Sequence, residues 1–347
     1  MTRPQWLRIH RIIGLAMAAF LLVQALTGAL LLYRGPATRL IDPAGMTSRG
    51  TGPVISAGDA VARAASALPG HHVTRLFAPD GEGATWFAQL QDGQGHMAYA
   101  SIDPAGGALL RKGGLFTFPV EAALQIHYRL LAGKAGMTVV MLNGIALLMM
   151  AVSGLYFWWP RRNFAKALTI RWSLSPRLVL RQAHRTTGVV AAAFLILIAG
   201  TGLLLIVPEL TDGGATAMPS AAPPAMIDRS LRLAQSAFPE NSLRDLRIDG
   251  GRMIVNFAAP ERNARAIHRA IVTLDQPRII RATRAETNGA MWMVVLPIHA
   301  GDVIGPAGPA LLVLVALVLA ALSLSGPILW WQARAQRRRP TPRKAHI

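Results

Sequence analysis

The sequence predicts an integral membrane α-helical protein: four transmembrane helices in two parallel internal repeats, with two small α+β domains outside the membrane. Three observations predict it. Hydrophobic residues make up 52% of the 347 positions, too many for an ordinary soluble chain. Four stretches reach the roughly 20 apolar residues needed to cross a hydrocarbon core of about 30 Å. The second half of the chain repeats motifs of the first in a nearly constant register.

The elements follow in order. Residues 1–11 form a short basic segment, and the first span, Ile12–Tyr33, occupies residues 12–33. This span exceeds the length of a signal-peptide core, lacks a small-residue cleavage site and carries a motif found again deep in the chain, so it is read as retained. Residues 34–120 are the first external domain, and 121–159 hold a histidine-bearing approach and the second span, Met137–Trp159. A basic loop, 160–185, leads to the third span, Thr186–Val207 (186–207). The second external domain covers 208–290, and 291–331 hold another histidine-bearing approach and the fourth span, Ala307–Trp331. Residues 332–347 are a basic tail.

Each external domain opens with a helical pattern stopped by proline, at Ile55–Leu68 and Met226–Phe238. Short alternating runs follow at Val73–Phe77, Thr85–Leu90 and His96–Ile102, and again at Leu243–Ile248, Met253–Phe257 and Ala270–Leu274. Glycine- and aspartate-rich turns separate them, as in hairpins. The expectation is a helix on a small antiparallel sheet, once per domain. Ala215–Pro224 reads as a Pro/Ala-rich linker.

The formal net charge of +19 invites a nucleic-acid reading, but its distribution favours a topology signal. Segments 1–11, 160–185 and 332–347 carry 16 of the 36 Lys and Arg and none of the 17 Asp and Glu. Positive-inside bias places both termini and the middle loop in the cytoplasm. The expected partner of this surface is the lipid bilayer, with no nucleic acid. The chain has no cysteine, which excludes disulfides, thiolate catalysis, Cys-ligated iron–sulfur clusters and covalently attached c-type haem.

The repeat is detailed. His10, Arg11, Gly14, Thr27 and Gly28 recur 174 residues later as His184, Arg185, Gly188, Thr201 and Gly202. Leu124, Ile126, His127 and Gly136 recur 172 residues later as Leu296, Ile298, His299 and Gly308, as do Ser153-Gly154 in Ser325-Gly326. Parallel repeats predict a pseudo-two-fold axis along the membrane normal.

Four of the nine histidines sit at repeated positions bordering spans, and ionisable residues there are functional candidates. His10 and His184 lie at the inner level, His127 and His299 at the outer. A span of 20 residues separates the levels by about 30 Å, so one ligand from each level cannot share a site. The pseudo-axis instead pairs His10 with His184 and His127 with His299. A bare zinc or copper ion wants three or four clustered ligands. Haem needs only two axial donors, so two bis-histidine b-type haems are expected, one near each face. Gly14, Gly188, Gly28 and Gly202 leave room either for a flat macrocycle or for close helix packing. Arg11 and Arg185 serve positive-inside topology and stand where haem propionates would pair.

These residues resemble the PepSY-associated transmembrane-helix family of bacterial inner-membrane proteins. The resemblance rests on His10-Arg11-x-x-Gly14 with Thr27-Gly28, on Leu124-x-x-His127 approaching Gly136, on Ser153-Gly154-Leu155-Tyr156 with Trp158-Trp159-Pro160, and on Ile102-Asp103-Pro104 closing a PepSY-like module. It implies periplasmic PepSY-like domains and an iron-regulated, ferric-siderophore-reductase-like activity with two b haems. The second module departs from the pattern, reading Asp275-Gln276-Pro277 in place of the full turn.

The resulting expectation is a di-haem b oxidoreductase of the inner membrane. Electrons would pass from a cytoplasmic donor or the quinol pool to a periplasmic acceptor, a ferric siderophore on the strength of the resemblance. No dinucleotide fingerprint is present, so the donor is a separate reductase or quinol. The alternatives are a quinol-linked cytochrome b with another acceptor, and a non-redox membrane anchor whose modules bind peptides or regulate a protease.

Overall fold

A computed structural model describes residues 3–160, 163–211 and 222–337. The linker expected at Ala215–Pro224 lies outside the described residues up to position 221, as do Arg161 and Arg162 of the basic loop and the tail from position 338. The helices are α1 (Arg3–Leu32), α2 (Arg34–Ile41), α3 (Pro43–Met46), α4 (Ala57–Ala67), α5 (Pro119–Arg129), α6 (Gly133–Trp158), α7 (Phe164–Leu168), α8 (Pro176–Thr211), α9 (Pro224–Ser236), α10 (Trp292–His299) and α11 (Ala307–Arg337). The strands are β1 (His71–Phe77), β2 (Trp86–Asp92), β3 (Met97–Ile102), β4 (Leu109–Gly114), β5 (Leu243–Asp249), β6 (Arg252–Ala258), β7 (Ile267–Thr273) and β8 (Ile279–Thr283). The chain divides into two compact units.

The first unit is a bundle of the four long helices. Each is long and apolar enough to cross a membrane. α1 and α8 each border both α6 and α11, closing a ring in which α1 faces α8 across the middle. The expected spans are all present, but α1 and α8 begin well before Ile12 and Thr186. His10 and His184 therefore lie within helices instead of at their mouths. Leu21, Leu147, Leu195 and Leu319, one from each helix, are buried together with Ala25, Ala151, Ala191, Ala199, Val315 and Ala320. In lipid the gain from such a layer is close packing more than removal from water, which suits its small residues.

The second unit is built on one antiparallel sheet of eight strands in the order β4-β3-β2-β1-β5-β6-β7-β8. The sequence reading of two domains with a small sheet each is corrected here. β1 pairs with β5, Leu76 opposite Leu246 and Arg75 opposite Arg247, so both external segments contribute to a continuous sheet. Left apart, β1 and β5 would each present an unpaired edge of backbone donors and acceptors; joined, they satisfy one another. The order is palindromic about that junction, as a two-fold repeat requires.

α4 and α9 cover one face, burying Ala60, Val61 and Ala64, Ile227 and Ala234 against Leu76, Leu90, Ile102, Leu246, Val255 and Val272. Each large side chain so buried is worth about 1.5–3 kcal/mol. α4 is started by Ser56, whose hydroxyl accepts from the Asp59 amide. On the opposite face Asp245 accepts from Arg75 Nε at 2.9 Å and Asn256 Nδ2 at 3.0 Å, locking β1 to β5 and β6. In the first repeat that face instead carries Phe87 stacked on Tyr99, with ring centres 5.8 Å apart and Phe118 beside them.

The six expected strands are present within a few residues. β4 and β8 escaped prediction because they are exposed edge strands without an apolar alternation. α5 and α10 stand apart from the spans that follow them. After α5, Leu130 and Leu131 take φ of 46° and 59°, a left-handed reversal rare for non-glycine residues. Gly301 does the equivalent after α10, with φ of 81°.

Candidate functional site

The four repeated histidines share one local construction within the bundle. His10 on α1 meets Ser153 on α6, with Nδ1 to Oγ at 2.8 Å. Its repeat partner His184 on α8 meets Ser325 on α11 at 2.7 Å. His127, near the end of α5, reaches Thr27 Oγ1 on α1 at 3.0 Å. His299, the last residue of α10, reaches Thr201 Oγ1 on α8 at 2.9 Å. In every case the contact uses Nδ1 and a hydroxyl from a different helix.

A glycine follows each hydroxyl residue, and each lies against the imidazole. A Cβ on Gly28 would stand 3.0 Å from His127 Cε1, and one on Gly202 would stand 3.3 Å from His299 Cε1. The corresponding separations are 3.8 Å for Gly154 and His10, and 3.6 Å for Gly326 and His184. The hydroxyl holds one edge of the ring in all four cases, and at Gly28 and Gly202 the missing Cβ also clears the next ring atom, whereas a Cβ on Gly154 or Gly326 would make only ordinary contact.

His10 on α1 and His184 on α8 occupy equivalent places in the two repeats, as do His127 on α5 and His299 on α10. Vertical separation follows from the helices themselves. His10 and Thr27 stand 17 residues apart on α1, as do His184 and Thr201 on α8, which is about 25 Å at 1.5 Å per residue. The four-leucine layer lies between the two levels.

The predicted glycines divide. Gly28 and Gly202 face imidazole rings, as above. Gly14 faces the Met150 thioether across the helix contact, and Gly188 faces Leu322. Arg11 and Arg185 are exposed, and Arg185 donates to the Ala167 carbonyl at 2.9 Å. A small cleft beside His10 is lined by Trp6, Ile9, Ile13, Met149, Met150 and Ser153.

The remaining histidines contrast with these. His268 is buried against Phe238, accepts from the Ala285 amide through Nδ1 and pairs with Glu261 through Nε2, so both nitrogens are committed. His96 pairs with Asp92 on a hairpin, and His71 lies at the start of β1. His346 is outside the described residues. Sequence reasoning singled out the ligand-type histidines and missed their seats, although Thr27, Thr201, Ser153 and Ser325 all stand in the repeat.

Donor chemistry tests what these sites can hold. Among the described residues no group of three or more His, Asp or Glu converges, as a bare transition-metal ion would ask. Each level offers one imidazole from each repeat, the donor count of a planar group that brings its own equatorial nitrogens and needs only two axial donors.

Four helices long and apolar enough to cross a bilayer define a multi-pass membrane protein, in which four repeat-related histidines each contact a hydroxyl of another helix. The chain belongs to the family described as PepSY-associated TM region, whose model matches residues 7–333. A search of curated proteins gave no match.

Proposed function

We propose that this protein is a two-haem electron carrier of the bacterial inner membrane that reduces a periplasmic ferric chelate, with a ferric siderophore as the substrate class. The observation that carries the reading is one imidazole from each repeat at each of two depths, every imidazole anchored through Nδ1 to a hydroxyl of another helix. His10 and His184 would hold the inner haem, and His127 and His299 the outer. A b-type haem held by two histidines supplies reversible one-electron Fe(III)/Fe(II) chemistry without exchanging a ligand.

The chain's own residues do the rest. The Nε2 atoms of each pair point the donor lone pairs, and the hydroxyl partners keep the rings from turning. The leucine layer excludes water between the levels and keeps the two groups apart, dividing a crossing of about 30 Å into shorter steps. Arg11 and Arg185, exposed at the inner level, would supply positive charge to the carboxylates of a haem held there. Positive-inside charge orients both termini to the cytoplasm. An electron supplied by a quinol or a separate reductase on the inner side leaves on the outer side, where one electron converts a chelated Fe(III) to Fe(II). Fe(II) is held less tightly by hard oxygen donors than Fe(III), and it is thereby released.

The absorption spectrum tests this reading. Protein purified from haem-replete cells is expected to be red, to contain two b haems per chain, and to show low-spin bands on reduction. His10→Ala and His127→Ala are each expected to remove one haem and leave the other. A colourless protein would overturn the proposal and return the histidines to an anchor for a peptide-binding module.

A further inference from the structure

The hydroxyl partners are themselves already satisfied. Thr27 Oγ1 donates to the Val23 carbonyl at 2.7 Å, and Thr201 Oγ1 to the Leu197 carbonyl at 2.7 Å. Ser153 Oγ reaches the Met150 carbonyl at 3.2 Å, and Ser325 Oγ the Leu322 carbonyl at 3.3 Å. This back-bonding along the helix is the ordinary way for Ser or Thr to rest in an apolar span. With the hydroxyl proton on the backbone carbonyl, its oxygen accepts from the imidazole; Nδ1 then carries the ring proton and Nε2 the lone pair.

That result holds at all four rings, with partners 143, 100, 141 and 98 residues away in sequence. A helix gains nothing for its own hydroxyl from a second bond. The recurrence therefore answers a need of the histidine: one tautomer, one ring plane and one outward nitrogen. A metal-bound histidine meets the same need by donating its other ring N–H to a fixed acceptor. Gly28 and Gly202 serve the same end, because Cε1, the atom they clear, is bonded to Nε2.

We infer that Thr27, Ser153, Thr201 and Ser325 are positioning residues that fix the Nδ1–H tautomer and ring plane of His127, His10, His299 and His184, so that Nε2 would be the atom that ligates haem iron. This rests on the haem reading above. The two levels use different residues, threonine outside and serine inside, so each is addressable separately. Donation from Nδ1 makes the imidazole a stronger donor and stabilises Fe(III). Loss of the acceptor should raise the midpoint potential of the affected haem and weaken its retention roughly 10–100-fold.

The test compares full-length Thr27→Val/Thr201→Val with Thr27→Ser/Thr201→Ser and with Ser153→Ala/Ser325→Ala. Readouts are the haem content, the potentiometric titration of each haem and the low-spin ferric EPR signal. The valine pair is expected to shift the potential and EPR signal of the outer haem alone, the serine pair to restore both, and the alanine pair to shift the inner haem alone. Wild-type protein without haem would overturn the functional reading. Wild-type protein with two haems, and valine and alanine variants whose potentials and EPR signals are unchanged, would overturn this inference while leaving that reading intact. A valine pair that alters both haems equally would also overturn it, since the effect would then be general unfolding. Should the valine pair not assemble, the alanine pair decides the question at the inner level.

Discussion

At Gly28 the outer site depends on the absence of one carbon. A side chain there would press on His127 Cε1, already 3.0 Å from an ideal Cβ. On the proposed two-haem function, Gly28→Val is expected to expel the haem held by His127 while the other stays, read as the loss of about half the haem absorbance. Asp103 illustrates a different residue-scale effect. It is only 3% exposed and accepts from Ser48 Oγ at 2.6 Å and from the amides of Arg49, Gly50 and Ala105 at 2.9–3.0 Å. Burial pushes its pKa up, but the four hydrogen bonds together hold it below the usual carboxylate value. A depressed folded pKa stabilises the fold fully above the unfolded value of about 3.9, and that contribution disappears as pH falls through the folded value. Asp103→Asn should therefore lower the melting temperature at neutral pH and flatten the acid limb of stability against pH. The second repeat has no such cage: Asp275 is exposed in its shorter turn.

Between α5 and α6 the decisive feature is how closely the chain returns on itself. A Cβ on Gly136 would stand 1.7 Å from the Arg129 carbonyl oxygen, and one on Gly308 would stand 1.8 Å from that of Gly301. No side chain fits either place, so the histidine-bearing helix and its span pack only through glycine. Gly136→Ala is expected to push α5 off the bundle, carrying His127 from Thr27. The measurement is selective loss of the outer haem together with new reactivity of His127 toward an imidazole-modifying reagent. The sequence contained these helices only as an approach to each span. The break after α5 was not legible, because Leu130 and Leu131 adopt left-handed backbone without the glycine that normally announces it, as Gly301 does after α10.

Taken as a whole, the external unit relies on the β1–β5 junction to join its two repeats. Asp245 is 1% exposed and is the carboxylate between Arg75 and Asn256 across that junction. Removing one partner of a buried pair costs about 3–5 kcal/mol, because the other charge is left without compensation. Asp245→Ala is expected to lower the unfolding temperature of the external unit, followed by thermal denaturation, with haem content unchanged. A small decrease, within the range of a surface substitution, would show that the backbone ladder alone holds the repeats together.

Local pattern carried much of this protein. The four spans were legible because lipid demands about 20 apolar residues in a row. The repeat was legible because His, Gly, Ser and Thr kept their spacing, and six of eight strands were legible because one face is buried and the side chains alternate. Depth sorted the histidines into two levels, since residues so far apart along a helix cannot meet. What tertiary structure decided was everything requiring two distant segments at once. It joined β1 to β5 into one sheet, seated each imidazole on a hydroxyl about 100 or 140 residues away, and turned Gly28 and Gly202 toward imidazole rings. Such partners leave no trace in local periodicity: a serine or threonine in a span looks satisfied by its own helix until another helix brings a histidine to it.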